Sequence, residues 1–397
     1  MIGISKLYCG TVQASDPLRY GRHSKNLPSN LLQFSRDKKP VVVWNCTKRC
    51  NLSCQHCYSA SNFEPAPTEL SDTQAKEFIS DIAKFGSPVL LFSGGEPLMR
   101  PGVLDLIRYA KSQGLRAVVS TNGTLISADL AQSLNQVGLS YAGISLDGAT
   151  AEINDQFRGV DGAFERALEG IRNCISAGVK VGLRFTINQH NAEDIDGIFD
   201  LLERENIPRV CFYHLVAAGR GTQISDQILP ADQTRHALDR ILARAKQAHE
   251  SGRKLEVLTV DNHADGAYLY MKLLQQAPQR AAEVLSLLKM NGGNSSGVGI
   301  GCVSWDGTVH PDQFWRNQNL GNVTKTPFSE IWTSPKTPLL PELRDRKSHL
   351  QDRCQRCRFL SICNGNLRVR SEISGNGIWG DDPSCYLTDE EISGELL

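Results

Sequence analysis

The sequence predicts an α/β protein, in which a partial (β/α)6 barrel of the TIM type is followed by a small C-terminal domain. Two observations support this prediction. From Val41 onwards, short β-rich runs alternate with amphipathic helical segments through six β-α units, as is typical of a parallel-stranded sheet. The repeat then stops, and a cysteine-rich segment closes the chain.

The six units set the expected boundaries of the elements. The predicted strands are Val41–Asn45, Val89–Phe92, Ala117–Ser120, Tyr141–Leu146, Lys180–Ile187 and Arg209–His214. The predicted helices are Asp72–Phe85, Val103–Gln113, Ser127–Val137, Ala163–Ala177, Asp194–Glu205 and Ala231–Glu250. In a parallel barrel the working groups lie at the carboxyl ends of the strands, so the residues after each strand are the first candidates for a site.

We divide the 397 residues into four parts. Residues 1–38 carry no periodic pattern and form an N-terminal arm, in which Leu18–Arg22 is extended or a short helix. Residues 39–254 hold the barrel, residues 255–300 depart from the repeat, and residues 301–397 form the C-terminal domain. A Gly- and Ser-rich stretch in the third part favours a connector over a lid.

Charge and composition narrow the functional classes. Lys plus Arg and Asp plus Glu are equal at 43 each, which argues against nucleic acid or a membrane surface as the main partner. We expect a cytoplasmic protein, because no apolar run is long enough to span a membrane and no signal-peptide pattern is present. Seven of the 12 cysteines fall in two tight groups, which in a reducing compartment indicates metal binding.

The first cysteine group follows the first predicted strand. Cys50, Cys54 and Cys57 have a spacing that suits a [4Fe-4S] cluster with one open iron, whereas a structural zinc loop more often pairs C-x2-C units. Cys46 is evenly spaced with Cys50 and Cys54, so that trio is an alternative. We prefer the first trio, because Cys46 lies at the strand end, where a small buried hydrophobe is expected.

Glycines and polar residues follow the second and third strands. Gly94 and Gly95 allow the backbone to come close to a ligand, and Glu96 can accept a hydrogen bond from an ammonium group. Ser120 and Asn122 suit ribose hydroxyls, although a helix N-cap and turn would use the same residue types.

The fourth and fifth strands carry further candidates. Ser145 and Asp147 lie two residues apart and therefore on the same side of a strand. Asp147 suits a ribose contact, a proton acceptor or a cap. Arg158 and Arg184 are candidate partners for a carboxylate, which a guanidinium binds as a forked pair.

Three histidines are candidate proton donors or substrate contacts, because imidazole exchanges protons near neutral pH. They are His214, His263 and His310. For each of them a structural role in the core is the ordinary alternative.

The second cysteine group supplies four thiolates, from Cys354, Cys357, Cys363 and Cys385. By spacing alone, this is a complete ligand set for either zinc or a [4Fe-4S] cluster.

Together these motifs resemble the radical S-adenosylmethionine (SAM) family. The resemblance rests on C-x3-C-x2-C followed by the aromatic Tyr58, and on the Gly-Gly-Glu turn one β-α unit later. It implies a cluster whose open iron binds the methionine part of SAM, and a reductive cleavage that yields a 5′-deoxyadenosyl radical. The residues it implies for SAM binding are Tyr58, Gly94, Gly95, Glu96, Ser120, Asn122, Ser145, Asp147, Arg158 and Arg184.

The C-terminal cysteine group resembles the SPASM or twitch type of auxiliary iron-sulfur domain. Cys302 stands at the first position of that pattern, but Pro311-Asp312 and Leu367 replace cysteines that the full pattern requires. The resemblance therefore implies two [4Fe-4S] clusters in all: one that binds SAM, and one auxiliary cluster on the second cysteine group.

Within the family, the chain is most similar to the NirJ-type enzymes of heme d1 biosynthesis, through residues 260–266, 301–307 and 310–316. This implies removal of propionate side chains from 12,18-didecarboxysiroheme, an iron tetrapyrrole, with an external electron donor such as flavodoxin or ferredoxin. Such a substrate needs cations for its carboxylates and aromatic side chains for its flat ring. The candidates are Arg184, Arg220, Arg316, Arg368, Trp305, Phe314 and Trp315.

Three alternatives stay open. A related heme-forming decarboxylase or a peptide-modifying maturase would use the same clusters on another substrate. A non-catalytic iron-sulfur electron carrier belongs to another class, and the three-cysteine motif with its Gly-Gly-Glu turn argues against it.

Overall fold

The computed structural model describes residues 1–13 and 39–394, so the predicted element at Leu18–Arg22 lies outside the described residues. Within those residues, one sheet of 11 strands runs through the protein. The strands are β1 (Ile2–Gly3), β2 (Val41–Thr47), β3 (Val89–Gly94), β4 (Arg116–Thr121), β5 (Tyr141–Ser145), β6 (Val181–Ile187), β7 (Arg209–His214), β8 (Glu256–Val260), β9 (Ile300–Val303), β10 (Thr308–His310) and β11 (Gly321–Asn322).

The sheet order is β1-β8-β7-β6-β5-β4-β3-β2-β9-β10-β11. Strands β2 to β8 pair in parallel and form the wall of a partial barrel. Strand β9 pairs in parallel with the free side of β2, so the C-terminal region continues the same sheet. This architecture confirms the predicted α/β class, and the six predicted strands correspond to β2 through β7.

Helices connect the strands, and local sequence sets their ends. In the first long helix, Ser71 and Gln74 form a capping box, and Gly86 ends the helix with a φ of +89°. The α-helices are Ile4–Leu7, Asp72–Phe85, Val103–Ser112, Ala128–Gln136, Ala151–Arg158, Ala163–Ser176, Ile195–Arg204, Ala231–Glu250, Ala264–Gln276, Pro278–Asn291, Phe328–Thr333, Leu339–Arg344, Asp352–Gln355, Leu360–Cys363, Arg368–Ile373 and Asp389–Ser393. Along the described residues, none of them combines the length and apolarity needed to cross a membrane.

Two segments depart from the predicted organisation. Strand β8 adds a seventh parallel strand at a point where the sequence predicted that the repeat had ended. Its five residues are all buried, and such a short run gives no alternating signal. In the N-terminal arm, β1 pairs with β8 and is followed by a short helix, although this stretch shows no periodic pattern.

Two glycines on the barrel strands make room for large polar side chains inside the barrel. A Cβ at Gly143 on β5 would lie 2.9 Å from Cδ of Arg184, and a Cβ at Gly182 on β6 would lie 2.3 Å from the hydroxyl of Tyr141. Glycine at these two positions therefore makes space for an arginine and a tyrosine inside the barrel.

Candidate active site

The cysteine loop follows β2 and is bound to the turn after β3. The Gly95 N–H donates to the Thr47 carbonyl at 2.9 Å, and the Glu96 N–H donates to the Arg49 carbonyl at 2.8 Å. A Cβ at Gly94 would lie 2.4 Å from Thr47 O, and one at Gly95 would lie 2.2 Å from Arg49 O. The two glycines are thus required by the close approach of loop and turn.

Three thiols of the loop line one cavity of about 150 Å³. They are those of Cys50, Cys54 and Cys57, and backbone N–H groups approach the sulfurs of Cys50 and Cys57 at 3.4 Å. Cys46 is buried elsewhere and does not line this cavity. The structure therefore brings together the preferred trio, and we call this space the cysteine cavity.

The chemistry of the loop suits an iron-sulfur cluster, because the sulfurs face a cavity and are approached by hydrogen-bond donors. In the described part of the chain, no three His, Cys, Asp or Glu side chains are arranged to share a single metal ion. Burial raises the pKa of Cys50 to about 12 and also raises that of Cys54, where Arg158 opposes the effect. Deprotonation of these thiols would therefore be favoured by the positive charge of a metal group.

A buried ion pair contacts the cysteine loop. Nη2 of Arg158 lies 2.6 Å from Oδ2 of Asp147, and the Asp147 side chain is fully buried. The other carboxylate oxygen of Asp147 accepts from the Thr186 N–H at 2.7 Å. Nη1 of Arg158 lies 3.7 Å from the sulfur of Cys54. Arg158 therefore places its positive charge between a carboxylate and a candidate ligand, and Asp147 lies behind it, outside the cavity wall.

Glu96 is fully buried and does not line the cysteine cavity. Its Oε1 accepts from the hydroxyl of Thr121 at 2.7 Å and from the Leu98 N–H at 3.0 Å, and its Oε2 accepts from the Asn122 N–H at 2.8 Å. Burial raises the pKa of Glu96 to about 7, although these donors oppose the shift. Its carboxylate thus joins the turn after β3 to the end of β4, and its contact with the amino group of SAM stays a prediction.

The remaining SAM-binding candidates line the cysteine cavity. These are Tyr58, Ser120, Asn122, Ser145 and Arg184. The Asn122 side chain also donates to the amide oxygen of Asn51 at 2.9 Å, within the cysteine loop. The hydroxyl of Tyr58 lies 2.9 Å from Oδ1 of Asn45.

A second cavity of about 290 Å³ extends inside the barrel, and we call it the lumen cavity. Arg184 lines both cavities, and its guanidinium lies 4.6 Å from the ring centroid of Tyr213. Arg116 and Arg209 line the lumen cavity as well, and Phe314 lines both. Positive charge and an aromatic ring are therefore available to both cavities, which share Arg184 and Phe314.

The three histidines lie in different surroundings. His214 lines the cysteine cavity, and its Nε2 lies 2.9 Å from Oδ2 of Asp265. His263 lines the lumen cavity, and burial holds its pKa well below the usual value. His310 lines neither cavity; its two ring nitrogens lie 2.8 Å from the Gln318 carbonyl and 2.9 Å from the Ser304 hydroxyl. His214 and His263 thus line the two cavities, whereas His310 lines neither, and the proton-donor role of each stays a prediction.

Three of the predicted substrate cations have structural partners instead. Arg220 donates to the carbonyls of Cys54 and Ser61, Arg316 donates to the carbonyl of Ser59, and Arg368 is fully buried among carbonyl groups. None of the three lines the cysteine cavity or the lumen cavity. Their contact with the substrate therefore stays a prediction.

Two of the predicted aromatic contacts belong to the core. Trp315 is fully buried and donates its indole N–H to Glu372 at 2.6 Å. The guanidinium carbon of Arg316 lies 4.2 Å from the ring centroid of Trp305. Phe314 alone lines the cavities, and it packs edge-on against Tyr58 with 5.5 Å between ring centroids.

The second cysteine group encloses a small cavity of its own. Cys354, Cys357, Cys363 and Cys385 all line it. Burial raises the pKa of Cys354 to about 12, and it raises the pKa of Cys363 with help from the neighbouring thiols. Nη1 of Arg353 lies 3.4 Å from the sulfur of Cys385. This arrangement fits a cluster on four thiolates and a cationic donor beside it.

Cys302 and Asp312 lie apart from this second group. The Cys302 thiol is fully buried in β9 and accepts from the Asn45 side chain at 3.5 Å. The Asp312 carboxylate accepts from the hydroxyl of Ser296 at 2.5 Å and from the N–H groups of Phe314 and Trp315. The position that lacks the expected cysteine thus holds a structural aspartate.

Comparisons with known proteins agree with this geometry. The model of the radical SAM superfamily matches residues 44–202, and that of SPASM, an iron-sulfur cluster-binding domain, matches residues 299–358. The Fe-coproporphyrin III synthase of Methanosarcina barkeri is 60% identical over 395 residues, which are 99% of both chains. The chain belongs to the radical SAM family. It is therefore an enzyme, and SAM and [4Fe-4S] clusters are its cofactors, as the sequence predicted.

Other relatives of this radical SAM enzyme differ in their named products. The pre-heme d1 synthase of Dinoroseobacter shibae is 42% identical, over 89% of this chain and 87% of that protein. Among solved structures, that of Streptococcus suis SuiB bound to precursor peptide SuiA superposes with a TM-score of 0.71 at 18% identity. The match covers 92% of this chain and 82% of the SuiB chain. Native anSMEcpe with bound AdoMet has a TM-score of 0.68 at 17% identity, covering 90% and 96%. These two likenesses show the shared fold.

The sequence did not single out Asp261, Tyr213 or Asp265 as site residues. Asp261 directly follows β8, which was not predicted as a strand, so its place at a strand end was hidden. Asp265 accepts from the Tyr386 hydroxyl at 2.7 Å as well as contacting His214. Both aspartates lie in residues 260–266, a stretch that carried the family resemblance without a role for either side chain.

Proposed function

We propose that this radical SAM enzyme removes side chains from didecarboxysiroheme and releases Fe-coproporphyrin III. The observation that carries the proposal is the 60% identity, along 99% of both chains, with a protein named Fe-coproporphyrin III synthase. A second candidate is the heme d1 reaction that the sequence motifs predicted, which the 42% identity with a pre-heme d1 synthase favours.

The two candidates differ in the side chain that is lost. Didecarboxysiroheme carries acetate and propionate groups. Coproporphyrin III keeps its propionates and has methyl groups at its other side-chain positions, so a reaction that forms it removes acetates. The heme d1 route removes propionates. The identity of the lost fragment therefore separates them.

The chain would hold its cofactors as follows. Cys50, Cys54 and Cys57 would bind the cluster that contacts SAM, and the second cysteine group would bind the auxiliary cluster. When bound, SAM and the reduced cluster supply hydrogen-atom abstraction from the substrate. Arg158 would offset the negative charge of the thiolates, and Glu96 would hold the neighbouring turn and strand end in place.

The lumen cavity supports a substrate with several carboxylates. Arg184 has no hydrogen bond or ion pair from its guanidinium within the described residues, and it opens into both cavities. Arg116 and Arg209 also line this cavity, and Arg209 lies 3.5 Å from a carboxylate oxygen of Glu256. Phe314 offers a ring face or edge to a flat macrocycle. These groups would orient the ring while the barrel wall shields it from water.

The test is anaerobic incubation of the cluster-loaded, chemically reduced protein with SAM and didecarboxysiroheme. We expect 5′-deoxyadenosine together with Fe-coproporphyrin III, identified by mass and absorbance. A product that has lost propionates would replace the first candidate by the second. Deoxyadenosine with an unchanged tetrapyrrole would refute both and favour another substrate, such as a peptide. Cys54→Ala is the inactive control. Flavodoxin or ferredoxin, our proposed electron donors, can then replace the chemical reductant.

A further inference from the structure

Two arginines near the second cysteine group are buried without an acidic partner. Arg346 is 2% exposed, and Arg368 has no exposed surface. Among the residues that the structure describes, no carboxylate forms an ion pair with either of them. Arg370 lies in the same region and is also buried, but it pairs with Asp382 at 2.9 Å. A guanidinium buried in this way requires a compensating negative charge, because removing an unpaired charge from water is costly.

The hydrogen-bond partners of both guanidinium groups are neutral oxygen atoms. Nη1 of Arg346 donates to the amide oxygen of Asn294 at 2.7 Å, and its Nη2 donates to the Ser296 carbonyl at 2.6 Å. Nη1 of Arg368 donates to the Gly380 carbonyl at 2.6 Å, whereas its Nε is buried without a partner. These hydrogen bonds satisfy N–H groups, but they leave the net charge of each guanidinium uncompensated.

Both arginines contact the turn after Cys363, which residues 364–366 form. Nη1 of Arg346 lies 3.3 Å from the first carbonyl oxygen of this turn and 3.4 Å from the third, and Nη2 of Arg368 contacts the second. The three residues have φ of +57°, +70° and +55°, a left-handed conformation that residues usually adopt singly. The last two of them line the cavity of the second cysteine group. The turn therefore holds two positive charges beside this cavity.

The charges of the two arginines reach the candidate cluster ligands. Burial raises the pKa of the Cys354 thiol to about 12, and Arg368 opposes this shift. Burial and the charge of Arg368 lower the pKa of Arg346 to about 9, whereas Asp312 and Cys363 oppose the shift. Arg346 thus still carries its charge at pH 7, where it repels Arg368. A negatively charged group on the second cysteine group would offset both charges.

We propose that Arg346 and Arg368 are the counter-ions of the auxiliary cluster and raise its reduction potential. The inference rests on the proposed binding of this cluster by the second cysteine group, and not on the identity of the tetrapyrrole. On reduction, one electron passes from the external donor to the cluster, whose negative charge increases by one, and no bond breaks. Nearby positive charge stabilises the reduced form more than the oxidised form, which makes the cluster a better electron acceptor.

The main experiment measures the reduction potential of the auxiliary cluster in Arg346→Gln and Arg368→Gln. Glutamine keeps an N–H donor for the carbonyl groups but removes the charge. Each variant should favour the oxidised cluster by on the order of tenfold, which for one electron lowers the potential by about 59 mV. The potential is read by electron paramagnetic resonance while the full-length, cluster-loaded protein is titrated with dithionite. The auxiliary signal is the one that Cys357→Ala lacks.

Two controls separate charge from packing. Arg356 lies between two of the candidate ligands in the sequence, but it is exposed, so water and salt screen its charge. Arg356→Gln should therefore shift the equilibrium between oxidised and reduced cluster by less than about twofold. Arg346→Lys and Arg368→Lys keep a positive charge and lose the planar fork of donors, and they should keep a potential close to that of the wild type.

A second readout is the stability gained when the clusters are loaded. Loading should raise the anaerobic unfolding temperature of the wild-type protein, because it supplies the missing negative charge. The rise should be smaller in Arg346→Gln, whose cluster-free form has one fewer unpaired buried charge. A role in packing alone would lower the unfolding temperatures of the cluster-free and cluster-loaded forms equally, and that result would contradict the inference.

The outcomes are distinct. If the loaded wild type and Cys357→Ala contain the same amount of iron, the assigned ligands are wrong and the inference fails with them. If the glutamine variants keep the wild-type potential, or if the lysine variants lose as much potential as they do, the inference alone is overturned. If Arg346→Gln does not fold, Arg368→Gln carries the same prediction. A lower potential in the glutamine variants supports the inference even where the wild type leaves didecarboxysiroheme unchanged, so the two proposals fail separately.

Discussion

Replacing Arg158 by Leu should destabilise the protein strongly, because it removes one half of a buried ion pair. The Asp147 side chain has no exposed surface, and that of Arg158 is 8% exposed. After the substitution, Asp147 would keep the Thr186 N–H and His56, whose Nε2 lies 3.5 Å away. In the intact protein, burial and the charge of Arg158 lower the pKa of His56 to about 4, so at pH 7 this ring is neutral and adds no charge to the pair.

Removal of one partner of a buried pair costs about 3–5 kcal/mol, since the other charge stays buried. We would measure this as the change in the free energy of unfolding by urea, at pH 7, on metal-free protein kept reduced. Arg108→Leu is the matched control. Arg108 pairs with Asp105 on the surface, where the side chains are 61% and 70% exposed, so its loss should cost less than about 1 kcal/mol.

A double variant completes the experiment. Asp147→Asn combined with Arg158→Leu should recover part of the loss, because no unpaired charge then stays buried. The reasoning would be refuted if Arg158→Leu lost no more free energy of unfolding than Arg108→Leu. It would also be refuted if the loss in the double variant exceeded the sum of the losses in Asp147→Asn and Arg158→Leu.

Three further predictions concern the cysteines and their support. Cys54→Ala should abolish reductive cleavage of SAM, whereas Cys46→Ala should retain it; cleavage by the first variant, measured as 5′-deoxyadenosine, would show that the trio is wrong. Cys357→Ala should lower the iron content of the loaded protein by roughly one cluster while the SAM-binding cluster stays detectable by electron paramagnetic resonance. Gly94→Ala should impair folding or cluster loading, because its Cβ would meet the Thr47 carbonyl at 2.4 Å on a backbone with a φ of +134°; normal loading with unchanged thermal stability would contradict this.

The regular part of the fold could be predicted from the sequence because its β-α units are long and periodic. Strands β2 to β7 lie close to the predicted bounds, and so do the helices between them, except Ala151–Arg158, which was not predicted. Strand β8 could not be found in this way, since five buried residues carry no period. Its pairing with β1 depends on residues more than 250 positions apart, a relation that local pattern does not contain.

In the candidate site, position was easier to predict than orientation. Spacing placed the three cysteines correctly on one cavity, and strand ends placed Ser120, Asn122 and Ser145 beside them. Spacing could not show that the carboxylate of Glu96 turns towards the end of β4. Which long polar side chains face a ligand and which face backbone carbonyls is decided by tertiary packing.

The continuity of the sheet between β2 and β9 has a consequence for dissecting this protein. Val42 to Trp44 pair on one side with Leu90 to Phe92 and on the other with Gly301 to Val303. A fragment truncated before residue 300 would leave β2 with a row of unpaired N–H and C=O groups along an apolar strand, which is a template for aggregation. The C-terminal iron-sulfur domain therefore cannot be removed without exposing an edge of the barrel sheet. Exchanging this domain between homologues would also exchange β9, the strand that covers that edge.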